Sequence, residues 1–363
     1  MSEALSTWFL DSKRSLPWRV DRTPYRVWLS EVMLQQTQVA RVVDYFERFV
    51  ARFPTVQDLA AADLDEVLSL WSGLGYYSRG RNLHRAAQAV VADFGGVFPS
   101  SSAALRTLPG VGAYTAAAVA SFAGGERVAV VDGNVIRVIS RVVDEGRDVA
   151  VAAADINATA DAMLGAAADA AVHNEAMMEL GALVCTPKAP RCGDCPIRPW
   201  CRALAAHTVL SRPVKKKAAP RARMRLAVVV VVVGDRFYVE RRPGEGLFGG
   251  LWQPPTEVLA GDALVHDDHV DHVDHIDAWA TLMSARGLPP PRTQEPIIVQ
   301  RTLTHRELTF VVAITTTTTT TTSAPTPPPG TEGRLVSATE LGALGVSSAV
   351  MAIFEATRSP LLF

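Results

Sequence analysis

The sequence predicts a multidomain chain: an all-α region over residues 1–211 that closes in a four-cysteine loop, followed by an α+β domain over residues 226–363. Three observations carry this. Apolar residues recur at helical spacing through the first region. β-branched runs replace that spacing after residue 225. Between them, residues 212–225 (RPVKKKAAPRARMR) hold seven basic residues, no acidic residue and two prolines, the composition of a linker. A length of 363 residues suits two or three domains, and a hydrophobic content of 48% is ample for buried cores.

Taken in order, residues 27–53 keep Leu29, Val32, Met33, Val39, Val43, Phe46 and Phe49 at helical spacing. Similar patterns run through 59–70, 83–94, 115–122, 134–143 and 174–184, with polar starts such as Thr55 and Asp63. Beyond the basic segment, strands are expected at 226–233, 236–240, 297–301 and 308–314, and helices near 277–286 and 348–357. Two segments are low in complexity. Residues 266–277 (HDDHVDHVDHID) read as a solvated loop or helix start in preference to a metal trap, and the first of the eight threonines at 315–322 extend a strand before a loop.

The formal net charge is −1, so any nucleic-acid contact must come from local basic patches and backbone amides. The longest apolar run, 226–233, is too short to cross a bilayer. No signal-peptide core precedes Asp11, Lys13 and Arg14, and a cytoplasmic monomer with no membrane partner is expected.

All four cysteines lie within 17 residues, spaced Cys185-x6-Cys192-x2-Cys195-x5-Cys201. A metal or cluster site explains that grouping better than disulfides do in a cytosolic chain. Four thiolates on a compact loop suit an iron–sulfur cluster; zinc is the rival, although zinc ribbons usually use two C-x-x-C knuckles. Arg191, Arg198 and Arg202 stand among the cysteines, either facing phosphates or balancing thiolate charge.

Gly110 and Gly112 sit in Leu108-Pro109-Gly110-Val111-Gly112, a turn between two expected helices. Such a turn brings backbone amides close to a phosphate without reading sequence. Asp132 follows 20 residues after Gly112 and starts a helix at Asp132-Gly133-Asn134. It reads either as an N-cap or as a carboxylate fixed beside a sugar carbon, where an anion lowers the barrier to N-glycosidic cleavage. Glu31 has apolar neighbours and shares a helical face with Gln35 and Gln38. It is either a solvated surface glutamate or a poorly hydrated acid that keeps its proton near neutrality. One acid and one anion are what glycosidic cleavage needs.

These motifs occur together: LPW at 16–18, PYRVWLSEVMLQQTQV at 24–39, LWSGLGYYSRGRNLHRAA at 70–87, LPGVGAYTA at 108–116, VDGNVIRV at 131–138 and NEAMMELGALVC at 174–185, followed by the cysteine loop. In this order they resemble the helix-hairpin-helix glycosylases and, among them, the MutY-type adenine glycosylases. The resemblance implies a six-helix barrel with the hairpin over about 22–133, a 4Fe–4S cluster domain over 1–21 plus 134–211, and a Nudix-like (MutT-like) lesion-recognition domain at 226–363. It implies that Glu31 protonates adenine at N7, Asp132 stabilises the sugar or bonds to it transiently, and Asn134 positions that centre. Gln36 and Gln35 resemble the wedge that fills the base stack, and Tyr76 the residue stacking beside oxidised guanine. Arg14 and Glu175 are candidates for contacts to the flipped adenine. Tyr114 stands where endonuclease III-like relatives carry a Schiff-base lysine, so strand cleavage is not expected. The implied partners are double-stranded DNA with A:8-oxoguanine or A:G mispairs, and a sliding clamp or mismatch-repair protein.

The C-terminal resemblance rests on Glu240-Arg241-Arg242-Pro243 and on the stretch from Gly246 to Pro254. No glutamate-rich Nudix box follows, so pyrophosphate hydrolysis is not expected. Leu303, Thr304 and His305 fall where MutY-type proteins often carry Phe-Ser-His to probe oxidised guanine. Thr304 and His305 still offer hydrogen bonds, but the aromatic ring is missing.

Overall fold

The computed structural model describes residues 1–216, 220–260, 274–291, 295–317 and 325–357. Its helices in chain order are α1 (Ser2–Ser12), α2 (Pro17–Val20), α3 (Pro24–Leu34), α4 (Val39–Arg52), α5 (Val56–Ala61), α6 (Leu64–Trp71), α7 (Tyr77–Phe94), α8 (Ser102–Leu105), α9 (Ala113–Phe122), α10 (Gly133–Val142), α11 (Ala153–Gly165), α12 (Ala170–Leu183), α13 (Arg202–Ala205), α14 (Asp274–Ser284), α15 (Ala338–Gly342) and α16 (Ser348–Thr357). The strands are β1 (Ala222–Val233), β2 (Arg236–Arg241), β3 (Trp252–Gln253), β4 (Thr256–Ala260), β5 (Ile297–Thr302), β6 (Arg306–Thr317) and β7 (Gly333–Val336). The chain divides into two compact units, residues 1–61 with 82–218 and residues 62–81 with 219–363.

The first unit is helical. Leu5 and Phe9 of α1 bury against Val135, Val138 and Ile139 of α10, Ile156 and Met163 of α11, and Met177 and Leu180 of α12. Neither α1 nor α11 is evident in the sequence patterns above. Helix α11 is rich in alanine and polar residues, so its narrow apolar stripe is weak. Helix α3 begins where Thr23 Oγ1 accepts the Arg26 amide and Pro24 occupies the first turn. The pattern read over 27–53 is two helices. Gln35 caps α3, and Gln36 turns the chain with φ of 56°. Gln38 therefore leaves the face that it was expected to share with Glu31. The cue is the polar run Gln35-Gln36-Thr37-Gln38, which interrupts the apolar repeat.

The turn between α8 and α9 needs glycine at Gly110. Its φ is 73°, and a Cβ there would lie 2.5 Å from the Asn82 Cβ. Gly112 is the N-cap residue of α9, whose first amides follow it.

The second unit is a seven-stranded sheet in the order β3-β2-β1-β6-β5, with β4 paired to β1 and β7 to β2. Strand β1 runs parallel to β6 from Ala222 opposite Arg306 to Val233 opposite Thr317. Its Leu226, Val228, Val230 and Val232 face one core, with Ile353 and Phe354 of α16. Its Ala227, Val229 and Val231 face another, with Trp279 and Met283 of α14. Burial on both faces explains an unbroken valine run in place of alternation. The strand takes up the last four residues of the basic segment, and β6 reaches the first threonines, as read from the sequence. The rest of that tract and most of the His/Asp-rich segment lie outside the described residues. Residues 62–81, read from sequence with the helical region, group with the sheet. Asp65 on α6 accepts hydrogen bonds from Arg241 (2.6 Å), Trp252 (3.0 Å) and Arg334 (3.1 Å). Among the described residues, no helix is long and apolar enough to cross a membrane.

Within the sheet unit, Arg286 forks onto Glu240 through two 2.6 Å bonds, with both side chains under a tenth exposed. Removing one partner leaves a buried charge, whereas replacing both does not. Glu240→Leu or Arg286→Met alone is expected to cost about 3 kcal/mol or more. The double variant is expected to cost clearly less than the sum, as read by urea denaturation.

Candidate active site

Helix α3, the start of α9, the Asp132 turn and α12 surround one cavity of about 380 Å³ in the helical unit. That is within the range of small-ligand pockets. Glu31, Gln35, Gln36, Tyr114, Asp132, Asn134, Arg14 and Glu175 all line it. The two carboxylates singled out in the sequence therefore meet at one place, 101 positions apart in the chain.

Glu31 is 4% exposed. Burial raises its pKa to about 7; the nearby charges of Asp132 and Glu175 add to this, while a hydrogen bond from Tyr114 and the charge of Arg19 oppose it. The Tyr114 hydroxyl donates to Glu31 Oε2 at 2.5 Å. Burial and the carboxylates of Glu31 and Asp132 push the Tyr114 phenol well above its ordinary value, so it remains a donor.

Asp132 is the N-cap that the sequence allowed, and it also lines the cavity. Its Oδ1 caps α10 by accepting the amides of Asn134 (2.8 Å) and Val135 (2.7 Å). Its Oδ2 accepts Asn134 Nδ2 at 2.8 Å. Arg137 Nη2 donates to Asn134 Oδ1, which fixes the amide orientation, and to the carbonyl of Gly181. A Cβ at Gly181 would lie 2.5 Å from Asn134 Cβ, so glycine lets α12 approach this turn. The capping bonds hold the carboxylate in one orientation beside the cavity.

In the same lining, Arg14 donates to Glu179 from its amide (3.0 Å), Nε (2.8 Å) and Nη2 (2.7 Å). Arg19 bridges Glu175 (3.0 Å) and Glu179 (3.1 Å), and Arg22 adds a 2.7 Å bond to Glu175. Burial alone would raise Glu179, but the hydrogen bonds from Arg14 and Arg19 outweigh it and hold the carboxyl at about 2. Arg14 and Glu175 are thus engaged in a charge lattice. Arg19, Arg22 and Glu179 belong to it and were missed in the sequence. Glu175 and Glu179 are four apart on a mostly apolar helix, the one available cue.

Gln35 donates to Thr115 Oγ1 at 3.1 Å, whereas Gln36 is exposed. In the other unit, the Tyr76 hydroxyl donates to Thr304 Oγ1, so these two candidates come together. Tyr76 has a φ of 48°. Leu303 packs against the sheet core, and His305 is exposed, its carbonyl accepting the Ala222 amide.

The four cysteines line a second, small cavity with Arg141, Arg191 and Arg198. Burial and the neighbouring thiols push Cys195 up to about 11, so a metal would have to displace its proton. Among the described residues, no three His, Cys, Asp or Glu side chains converge closely enough for a single metal ion. Arg191, Arg198 and Arg202 are exposed. The cations buried beside the cysteines are instead Arg137 and Arg141, four apart on α10, which sequence patterning passed over.

Residues 29–148 match the helix-hairpin-helix superfamily of base excision DNA repair proteins, and residues 227–356 match the NUDIX domain. The chain is 40% identical to the adenine DNA glycosylase of Rattus norvegicus over 70% of this chain and 60% of the relative. It therefore spans about 60% of that relative's length. It is 32% identical to the adenine DNA glycosylase of Buchnera aphidicola over 70% of this chain and 74% of the relative. A solved thermostable thymine-DNA glycosylase superposes with a TM-score of 0.52 at 27% identity, covering 56% of this chain and 95% of that one. By its two matched domains and its likeness to the Buchnera protein, this chain belongs to the adenine DNA glycosylase family.

Proposed function

We propose that the chain is a monofunctional DNA glycosylase that hydrolyses the N-glycosidic bond of adenine mispaired with 8-oxoguanine or guanine in duplex DNA. The observation that carries this reading is the meeting of Glu31 and Asp132 in one cavity in unlike surroundings. An extruded nucleotide fills the cavity. Glu31 gives its proton to a ring nitrogen of the adenine, the bond to the sugar breaks, and the bonding electrons leave with the base. Asp132, held by its capping bonds, faces the positive charge that develops on the sugar. Water then adds to the sugar carbon and loses a proton. Tyr114 has no amine to form a Schiff base, and its hydroxyl is committed to Glu31.

In the helical unit, Gly110, Gly112 and the first amides of α9 meet a phosphate, and Gln36 and Gln35 fill the vacated stack; in the sheet unit, Tyr76 with Thr304 and His305 reads the oxidised guanine. Cys185, Cys192, Cys195 and Cys201 hold a 4Fe–4S cluster. Four thiols that ring one small cavity suit the four ligands of such a cluster. When bound, the cluster would tie the four cysteines of the loop together.

Asp132→Asn and Glu31→Gln are each expected to slow adenine release at least about 100-fold in single-turnover assays, with duplex binding retained. The substrates are duplexes carrying A, T or U opposite 8-oxoguanine or guanine. Release of thymine but not adenine overturns the reading, as does full activity in either variant. Because Glu31 must be protonated and its pKa is raised to about 7, the rate of adenine release is expected to fall as pH rises through that value. Borohydride trapping is expected to yield no covalent complex with DNA, with strand cleavage requiring added alkali.

A further inference from the structure

Arg141 is 1% exposed, among the most deeply buried charged groups of the described residues. Its guanidinium makes six hydrogen bonds. Five go to carbonyl oxygens: Cys185 (3.2 Å), Thr186 (2.8 Å), Pro187 (3.1 Å), Val209 (3.0 Å) and Arg212 (3.2 Å). The sixth is to Cys185 Sγ at 3.2 Å. No carboxylate is bonded to it among the described residues, and the neighbouring Asp144 is held by Arg212 at 2.8 Å. Burying a cation without an anion costs several kcal/mol. The one bonded group that can become an anion is the Cys185 sulfur.

The carbonyl partners lie on both flanks of the cysteine loop, residues 185–187 before Cys192 and residues 209–212 after Cys201. One rigid, five-donor side chain therefore ties the loop's entry to its exit, a geometry that a lysine ammonium cannot reproduce. Arg137, one turn away, reaches the Cys185 carbonyl but not its sulfur. Four thiolates on a dicationic iron–sulfide core leave a dianion, and two buried guanidiniums beside it match that charge.

We propose that Arg141 is the internal counter-ion and clasp of the cysteine-held cluster: its bond to Cys185 Sγ and its span across the loop ends stabilise the bound metal group. This rests on the cluster reading of the four cysteines. The full-length wild type, Arg141→Met, Arg141→Lys and, as an exposed control, Arg191→Ala are purified anaerobically. Each is assayed for iron and acid-labile sulfide, for loss of the visible absorption under a chelator, and for cluster reduction potential. Arg141→Met is expected to lose the cluster at least about tenfold faster than wild type, as befits one lost hydrogen bond to a charged group. What cluster it keeps should have a more negative potential, since a nearby cation favours the reduced state. Arg141→Lys should fall between, and Arg191→Ala should match wild type. Unchanged lability and potential in both Arg141 variants overturn the inference alone. Wild type holding stoichiometric zinc and no iron overturns the cluster reading and the inference with it. Should the Arg141 variants fail to fold, pulsed EPR of the reduced wild type, grown with arginine carrying 15N in the guanidinium group alone, decides. A weak nitrogen coupling to the paramagnetic cluster supports the contact, and its absence contradicts it.

Discussion

The site depends on a glutamate that is denied water. A carboxyl on a helix surface would ionise well below neutrality, and a carboxylate has no proton to give. Helix α3 turns Glu31 inward, where desolvation disfavours the charged form and the field of Asp132 adds to the effect. The hydroxyl of Tyr114 pulls the other way, so the acid is poised near neutrality and is not locked in its neutral form. The same burial carries a stability cost above neutral pH. A carboxyl whose folded pKa lies above its unfolded value contributes stability at low pH that is lost as pH rises through the folded value.

Everything else in the pocket keeps charge where it is needed. Asp132 caps α10 with one oxygen, so the needs of the helix fix this carboxylate beside the cavity. Arg137 ties that turn, through Asn134, to the carbonyl that begins the cysteine loop. Arg14, Arg19 and Arg22 clamp Glu175 and Glu179, which lets two further acids line the cavity without collapsing its electrostatics. Arg141 then ties the far end of α10 to both flanks of the cysteine loop.

Much of this was legible in the sequence because it lives in local pattern. Gly110 announces a turn that only glycine tolerates, Asp132 announces a cap, and the four clustered cysteines announce the one small cavity that they line. Valines in an unbroken run announce a strand covered on both faces. What was not legible depends on distant pairing. Arg141 looks like one more basic residue on α10 until the fold wraps both flanks of the cysteine loop around it. Arg19 and Arg22 gain meaning only when α12 arrives with its glutamates. The split between α3 and α4 was visible in the polar run at 35–38 but was outweighed by the apolar residues on either side. Residues 62–81 carry helical patterning that gives no hint of their place with the sheet, because Asp65 finds its partners in β2, β3 and β7.

The most direct test is a titration of the Glu31 carboxyl itself, by infrared difference spectroscopy of wild type against Glu31→Gln in the absence of DNA. A protonated carbonyl band that disappears with a midpoint near pH 7 is the predicted result. A band already lost in the ordinary glutamate range would show Glu31 to be an ionised surface group and would contradict the account.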